Sequence, residues 1–116
     1  MKKDYIITNE DLAQKGLVLS DYALDGTMVE PIINIALDLA VTSILRFNDN
    51  FKYEDDIEKA LDNEPRLVGA FKKLQYQIIY NLIFLGDIDP INNIVERIIA
   101  SDLRWCKING WQKQLY

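Results

Sequence analysis

The stretch 67-LVGAFKKLQYQIIYNLIFLG-86 decides the fold. Leu67, Phe71, Leu74, Ile78, Leu82 and Leu85 recur at helical spacing, and Ile79 and Ile83 widen the stripe they form. Apolar residues three and four apart share one face of an α-helix, so the stretch is expected to be amphipathic and to pack on a core. Asn63 is expected to cap it, Pro65 to sit just inside its start, and Gly86 to stop it.

Upstream, 29-VEPIINIALDLAVTSILRF-47 is apolar around most of a helical circumference. Pro31 falls in the expected first turn, where a missing N–H does no harm. Glu30, Asn34, Asp38, Thr42 and Arg46 repeat every four residues as one polar stripe. A helix this apolar is central to a fold, or covered on two sides by different partners. Asn34, Asp38, Thr42 and Arg46 are therefore either a solvated edge or the line along which a neighbouring subunit crosses.

Shorter elements flank these two. Thr8 and Asp11 have the spacing of a capping box, and Gly16 suits the left-handed end of a short helix. Residues 17–28 read as an extended connector pinned by Leu17, Val18, Leu19, Tyr22 and Leu24. After the turn cluster Asn48-Asp49-Asn50, an acidic helix runs from about Tyr53 to Leu61 with Ile57, Ala60 and Leu61 inward. Its Glu54, Asp55 and Asp56 suit the positive end of the helix dipole. Asp89-Pro90 opens a last helix, with Ile91, Ile94, Val95, Ile98, Ile99, Leu103 and Cys106 at helical spacing as far as Ile108. Asn109-Gly110 could instead turn a small hairpin. The expected architecture is one all-α domain over 1–116: an N-terminal short helix and extended connector (1–28), a helical core (29–108) and a tail (109–116). The bundle should hold four to five helices.

Composition narrows the function. The 116 residues carry 18 acidic and 13 basic side chains, a net charge of −5, and the basic residues form no stripe. Phosphate-binding surfaces need such a footprint. No histidine is present, which removes His-based triads, proton shuttles and the commonest metal ligand. Cys106 is the one cysteine, so no internal disulfide forms. It lies on an apolar stripe, as a small buried hydrophobe would. No Gly-rich phosphate loop occurs. Asp55-Asp56-x-Glu58 and Asp87-x-Asp89 could offer carboxylates to a divalent cation, yet capping and a solvated helix face account for these acids. The chain is expected to be soluble and cytoplasmic, with no enzymatic activity, cofactor or membrane span. Trp105, Trp111 and Tyr116 crowd a short tail, either folded back on the core or serving as docking anchors.

Two segments resemble a known family. Thr8-Asn9-Glu10-Asp11-Leu12 followed by Gly16-Leu17 is similar to the capped opening helix of small head–tail connector (adaptor) proteins of tailed bacteriophages. Ala70-Phe71-Lys72-Lys73-Leu74-Gln75-Tyr76-Gln77-Ile78, ending at Gly86, resembles a long helix of that group. The resemblance implies a virion protein of the neck, present in the host cytoplasm during assembly. It also implies a homo-oligomeric ring, twelve-fold, between the portal protein and the neck or tail proteins. DNA would pass its lumen without specific binding, and the acidic helix from Glu54 to Glu58 would face lumen or solvent. Trp-rich sequence in the last third departs from the Gly/Ser-rich extension of many relatives. The other class the sequence allows is a small acidic inhibitor or regulatory binding protein, of the immunity or anti-defence type, meeting a basic partner.

Overall fold

The computed structural model describes residues 1–22, 26–47 and 51–84. Its order is a 3₁₀ turn (Lys3–Tyr5), α1 (Asn9–Gln14), a second 3₁₀ turn (Leu19–Tyr22), α2 (Gly26–Phe47), α3 (Glu54–Asn63) and α4 (Leu67–Phe84). Among the described residues there is no strand. The molecule is a small all-α bundle. The expected final helix, the Asn109-Gly110 turn and the tail lie outside the described residues, as do Asp87, Asp89 and Cys106.

The first helix forms for the expected reasons. Thr8 Oγ1 accepts from the Asp11 N–H at 3.1 Å, and Asp11 Oδ2 accepts from the Thr8 N–H at 2.9 Å. The two residues thus satisfy each other's free main-chain donors. Gly16 ends α1 at φ 84°, in the left-handed region. There the Leu17 N–H reaches back to the Leu12 carbonyl and the Gly16 N–H to that of Ala13, both at 2.9 Å. This double closure is a Schellman ending, and Leu12 and Leu17, its apolar pair, are both buried.

Over Leu19–Tyr22 the chain is less extended than its composition suggests. It winds into a 3₁₀ turn, and α2 begins at Gly26, three residues before Val29. Leu17 and Leu19 pin this segment to the core, whereas Val18 points outward at 40% exposure. The earlier start also moves Pro31 out of the first turn and into the helix body. Proline lacks the N–H that would bond the carbonyl four residues back, so α2 forgoes its rung to Thr27. Pro31 itself is exposed.

One line of α2 faces the centre: Ala36 and Ala40 are fully buried and Ser43 nearly so. They stand at i, i+4 and i+7, and their small side chains let the neighbouring helix approach closely. That neighbour is α4, the element against which α2 mainly packs. Leu67, Phe71, Leu74, Ile78 and Ile79 supply the α4 side and are all buried.

α3 buries Ile57, Ala60 and Leu61, as its spacing demands. Asp56 Oδ2 accepts from the main-chain N–H groups of Lys52 and Tyr53, at 2.9 and 3.0 Å, which holds the entry to the helix. The far end differs from expectation. Asn63 does not cap α4; it is the last residue of α3, and Glu64 closes α3 through an N–H bond to the Ala60 carbonyl at 2.9 Å. Pro65 and Arg66 then form a turn, and α4 starts at Leu67. The helical register of Ile57, Ala60 and Leu61 simply continues past Leu61 until proline, which disfavours helix at its predecessor, ends it.

The start of the chain lies across α3 and α4 as a strap. Tyr5–Ile7 is tied down by one buried side chain, that of Gln75 on α4. Gln75 Oε1 accepts from the Ile7 N–H at 3.0 Å, and its Nε2 donates to the Tyr5 carbonyl at 2.8 Å. The Gln75 amide thus offers the strap the acceptor and donor that a neighbouring strand would offer. Ile7 enters the core at 1% exposure. Nearer the beginning, Asp62 on α3 accepts from Lys2 Nζ at 2.7 Å and from the Tyr5 hydroxyl through the same oxygen. Those two donors lower the affinity of Asp62 for a proton, and Asp62 in turn raises the pKa values of Lys2 and Tyr5.

Candidate interaction surface

The polar stripe of α2 is on the outside. Glu30, Asn34, Asp38, Thr42 and Arg46 are all exposed, in a row that slants slowly around the helix because a spacing of four overshoots one turn. Four of the residues singled out from sequence, Asn34, Asp38, Thr42 and Arg46, are therefore brought together along one outward face.

Apolar groups border them. Ile35 is 49% exposed, and Ile32, Ile33, Leu37, Leu39, Ile44 and Leu45 are half-buried against the core. Such a border places aliphatic groups at the surface beside polar ones of mixed type: two carboxylates, an amide, a hydroxyl and a guanidinium. The carboxylates of Glu30 and Asp38 are two turns apart along the helix.

A second surface feature went unread in the sequence. Tyr76, Tyr80 and Phe84 stand at i, i+4 and i+8 on α4, and their rings contact in series. Ring centroids are 6.2 Å apart for Tyr76 and Tyr80 and 4.5 Å for Tyr80 and Phe84, with tilts of 42° and 44°. These are favourable tilted geometries for aromatic pairs. Lys15 Nζ sits 5.3 Å from the Tyr76 ring centroid, a cation–π distance. Tyr80 and Phe84 remain 41% and 44% exposed. Their four-residue spacing runs beside the core stripe of the same helix, on its other face.

Several carboxylates are engaged elsewhere. Asp11 is bonded within its capping box, and its Oδ2 also meets Lys72 Nζ at 3.3 Å. The Thr8 main-chain N–H, the Thr8 hydroxyl and Lys72 together hold its carboxyl below the usual range. Asp56 is lowered by the N–H groups of Lys52 and Tyr53. Glu64 pairs with Arg66 Nε at 2.6 Å. Glu54 and Asp55 are left facing solvent at the start of α3. Among the described residues no group of three or more His, Cys, Asp or Glu could hold a metal ion, the Asp55-Asp56-x-Glu58 cluster included. No helix among them is long and apolar enough to cross a membrane. Trp105, Trp111 and Tyr116, the remaining interface candidates, lie outside the described residues. Comparison of the chain with protein-family models, with curated proteins and with solved structures finds no match.

Proposed function

We propose that this protein is a non-enzymatic assembly subunit whose outward α2 face meets a neighbouring subunit. The observation that carries this reading is the exposed row Asn34, Asp38, Thr42 and Arg46 flanked by Ile35 and half-buried isoleucines and leucines. Beyond it, the resemblance of the opening helix and of the Ala70–Ile78 segment supports a specific setting. In that setting the chain is a head–tail connector, a ring between the portal and the neck or tail proteins of a tailed bacteriophage. Ring neighbours would meet head to tail through unlike surfaces closed by rotation, and the exposed acids Glu54 and Asp55 would suit a channel that DNA crosses without adhering.

The acidic-inhibitor alternative has less support. A mimic of nucleic acid needs its carboxylates gathered on one face, whereas the free, exposed ones are spread over the 3₁₀ turns (Asp4, Asp21), α1 (Glu10), α2 (Glu30, Asp38) and α3 (Glu54, Asp55). Asp11, Asp56, Asp62 and Glu64 are bound into caps and ion pairs.

Native mass spectrometry of the purified protein, alone and mixed with portal and neck proteins, tests the proposal. Expected are closed oligomers or defined complexes that Ile35→Glu and Asp38→Lys weaken without loss of helicity. A protein that stays monomeric in every mixture refutes the connector reading. Assemblies indifferent to both substitutions refute the α2 face as the contact.

A further inference from the structure

The aromatic row of α4 lies on the far side of that helix from α2. Leu74 and Ile78 face the core, whereas Lys73 and Tyr80 are exposed on the opposite side and Tyr76 stands on the border. Tyr76 and Tyr80 touch, so the row presents one apolar ridge with a cation beside it. Lys73 makes no ion pair among the described residues, whereas its neighbour Lys72 is held by Asp11. The sequence that follows α4 matches this ridge in spacing, length and charge. Residues 85–89 make a connection of five, a length that joins antiparallel helices in contact. Beyond it, helical spacing continues over the 19 residues 90–108, about 28 Å of helix against about 27 Å for the 18 residues of α4. Counted outward from Asp87 in the middle of the connection, Ile94 is as far along as Tyr80, and Ile98 as far as Tyr76. Asp102 falls within one residue of Lys73 on the same count. It follows Ile98 by four residues and so interrupts the apolar stripe itself. A carboxylate there is costly to bury unless a cation meets it. Lysine can lay its aliphatic stem along an apolar ridge while its ammonium reaches such an acid.

We propose that the segment 90–108 is the occupant of the α4 aromatic face, packed antiparallel to α4 within the same chain, with Asp102 against Lys73. The core side of α4 is taken by α2 and by the N-terminal strap, so the aromatic face is the one a hairpin partner can reach. A tether of five residues holds the segment at an effective concentration on the order of millimolar, which a separate partner would have to match. The α4 face is then internal to the subunit, and the α2 face is the surface left open to neighbours. Neither contact depends on the other.

The test uses full-length chains carrying Cys106→Ser, so that both thiols are placed by design. One chain combines Lys73→Cys with Asp102→Cys, the two thiols standing in for the ion pair. In the comparison chain Asp38→Cys, on the outward face of α2, replaces Lys73→Cys. Oxidised glutathione is added to dilute protein, and disulfide closure within the monomer is followed on non-reducing gels. The Lys73→Cys/Asp102→Cys chain closes several-fold faster than the comparison chain, and adding Tyr80→Glu slows it toward the comparison rate. In the otherwise unaltered protein, Tyr80→Glu moves the emission of Trp105 and Trp111, the two tryptophans, to longer wavelength while helicity is retained. Equal closure rates overturn the proposal, as does a Tyr80→Glu that leaves both closure and emission unchanged. Product found only as a disulfide-linked dimer also overturns it, because the segment of a second copy then takes the seat. Faster closure of the Asp38→Cys chain overturns it too, and removes the α2 face as an open contact. Closure as expected, with assemblies indifferent to Ile35→Glu, upholds the α4 seat while the α2 contact falls.

Discussion

Replacing Gln75 by leucine gives the most direct measure of what holds the strap. The side chains are close in volume, so the substitution removes hydrogen bonds without opening a large cavity. Two main-chain groups lose partners: the Ile7 N–H, beside a side chain only 1% exposed, and the Tyr5 carbonyl, which is partly buried. A fully buried donor left unsatisfied costs about 1–3 kcal/mol, and the partly wetted carbonyl about 0.5–1.5 kcal/mol. Leucine returns about 1–2 kcal/mol through the apolar area it buries. The balance is a net loss centred on about 1.5 kcal/mol. Gln75→Glu discriminates further. Its carboxylate still accepts from Ile7 but turns an oxygen toward the Tyr5 carbonyl, so the buried charge is penalised and the folded-state pKa rises above the unfolded value. The protonated acid again offers one donor and one acceptor, so this variant gains stability as pH falls through its raised pKa, opposite to the wild-type trend below. Urea denaturation at several pH values, together with amide exchange at Ile7, checks both. An unchanged midpoint for Gln75→Leu, with Ile7 exchange as slow as in the parent, refutes the role assigned to this amide.

Thr8→Ala breaks the capping box and should cost about 1 kcal/mol by chemical denaturation; a change indistinguishable from zero would show that α1 is held by Leu12 and Leu17 alone. Ala40→Leu puts three extra carbons where α2 meets α4, and should destabilise by about 1–3 kcal/mol, read as a lower thermal midpoint. Asp11, Asp56 and Asp62 all ionise more readily in the folded chain than at the ordinary value of 3.8. Their stabilisation is therefore complete above the unfolded-state pKa and is lost as pH falls through the lower folded values. Stability should fall below about pH 4, and Asp56→Asn should flatten that acid limb relative to the parent; an acid limb of unaltered slope would count against the Asp56 contribution.

Much of this bundle could be read from spacing, because spacing governs which side of a helix is apolar. Ile57, Ala60 and Leu61 on α3, and Leu67, Phe71, Leu74 and Ile78 on α4, are buried as their intervals require. Thr8, Asp11 and Gly16 act locally, and local chemistry survives without tertiary information. Boundaries were harder. The early start of α2 at Gly26 and the late start of α4 at Leu67 depend on packing and on the Pro65 turn, where propensity is a weak guide. Gln75 was visible only as a polar residue inside an apolar stripe. Its role needs a partner 68 residues away in sequence, which no periodicity encodes. Among the site residues, Asn34, Asp38, Thr42 and Arg46 do share one exposed face. Spacing alone does not distinguish the aromatic row Tyr76, Tyr80 and Phe84, because a four-residue interval serves core and surface alike.

The strap has a consequence in time as well as in place. Contacts that join residues 68 and 70 positions apart form only after the intervening chain has been brought to order, since loop closure must precede their reward. The Gln75 clasp therefore belongs to the last events of folding and the first of unfolding, with a φ-value near zero. Weakening it should leave the refolding rate almost untouched and accelerate unfolding by nearly the whole of its free-energy effect. On this argument the clasp would govern how long the bundle stays closed rather than how quickly it closes.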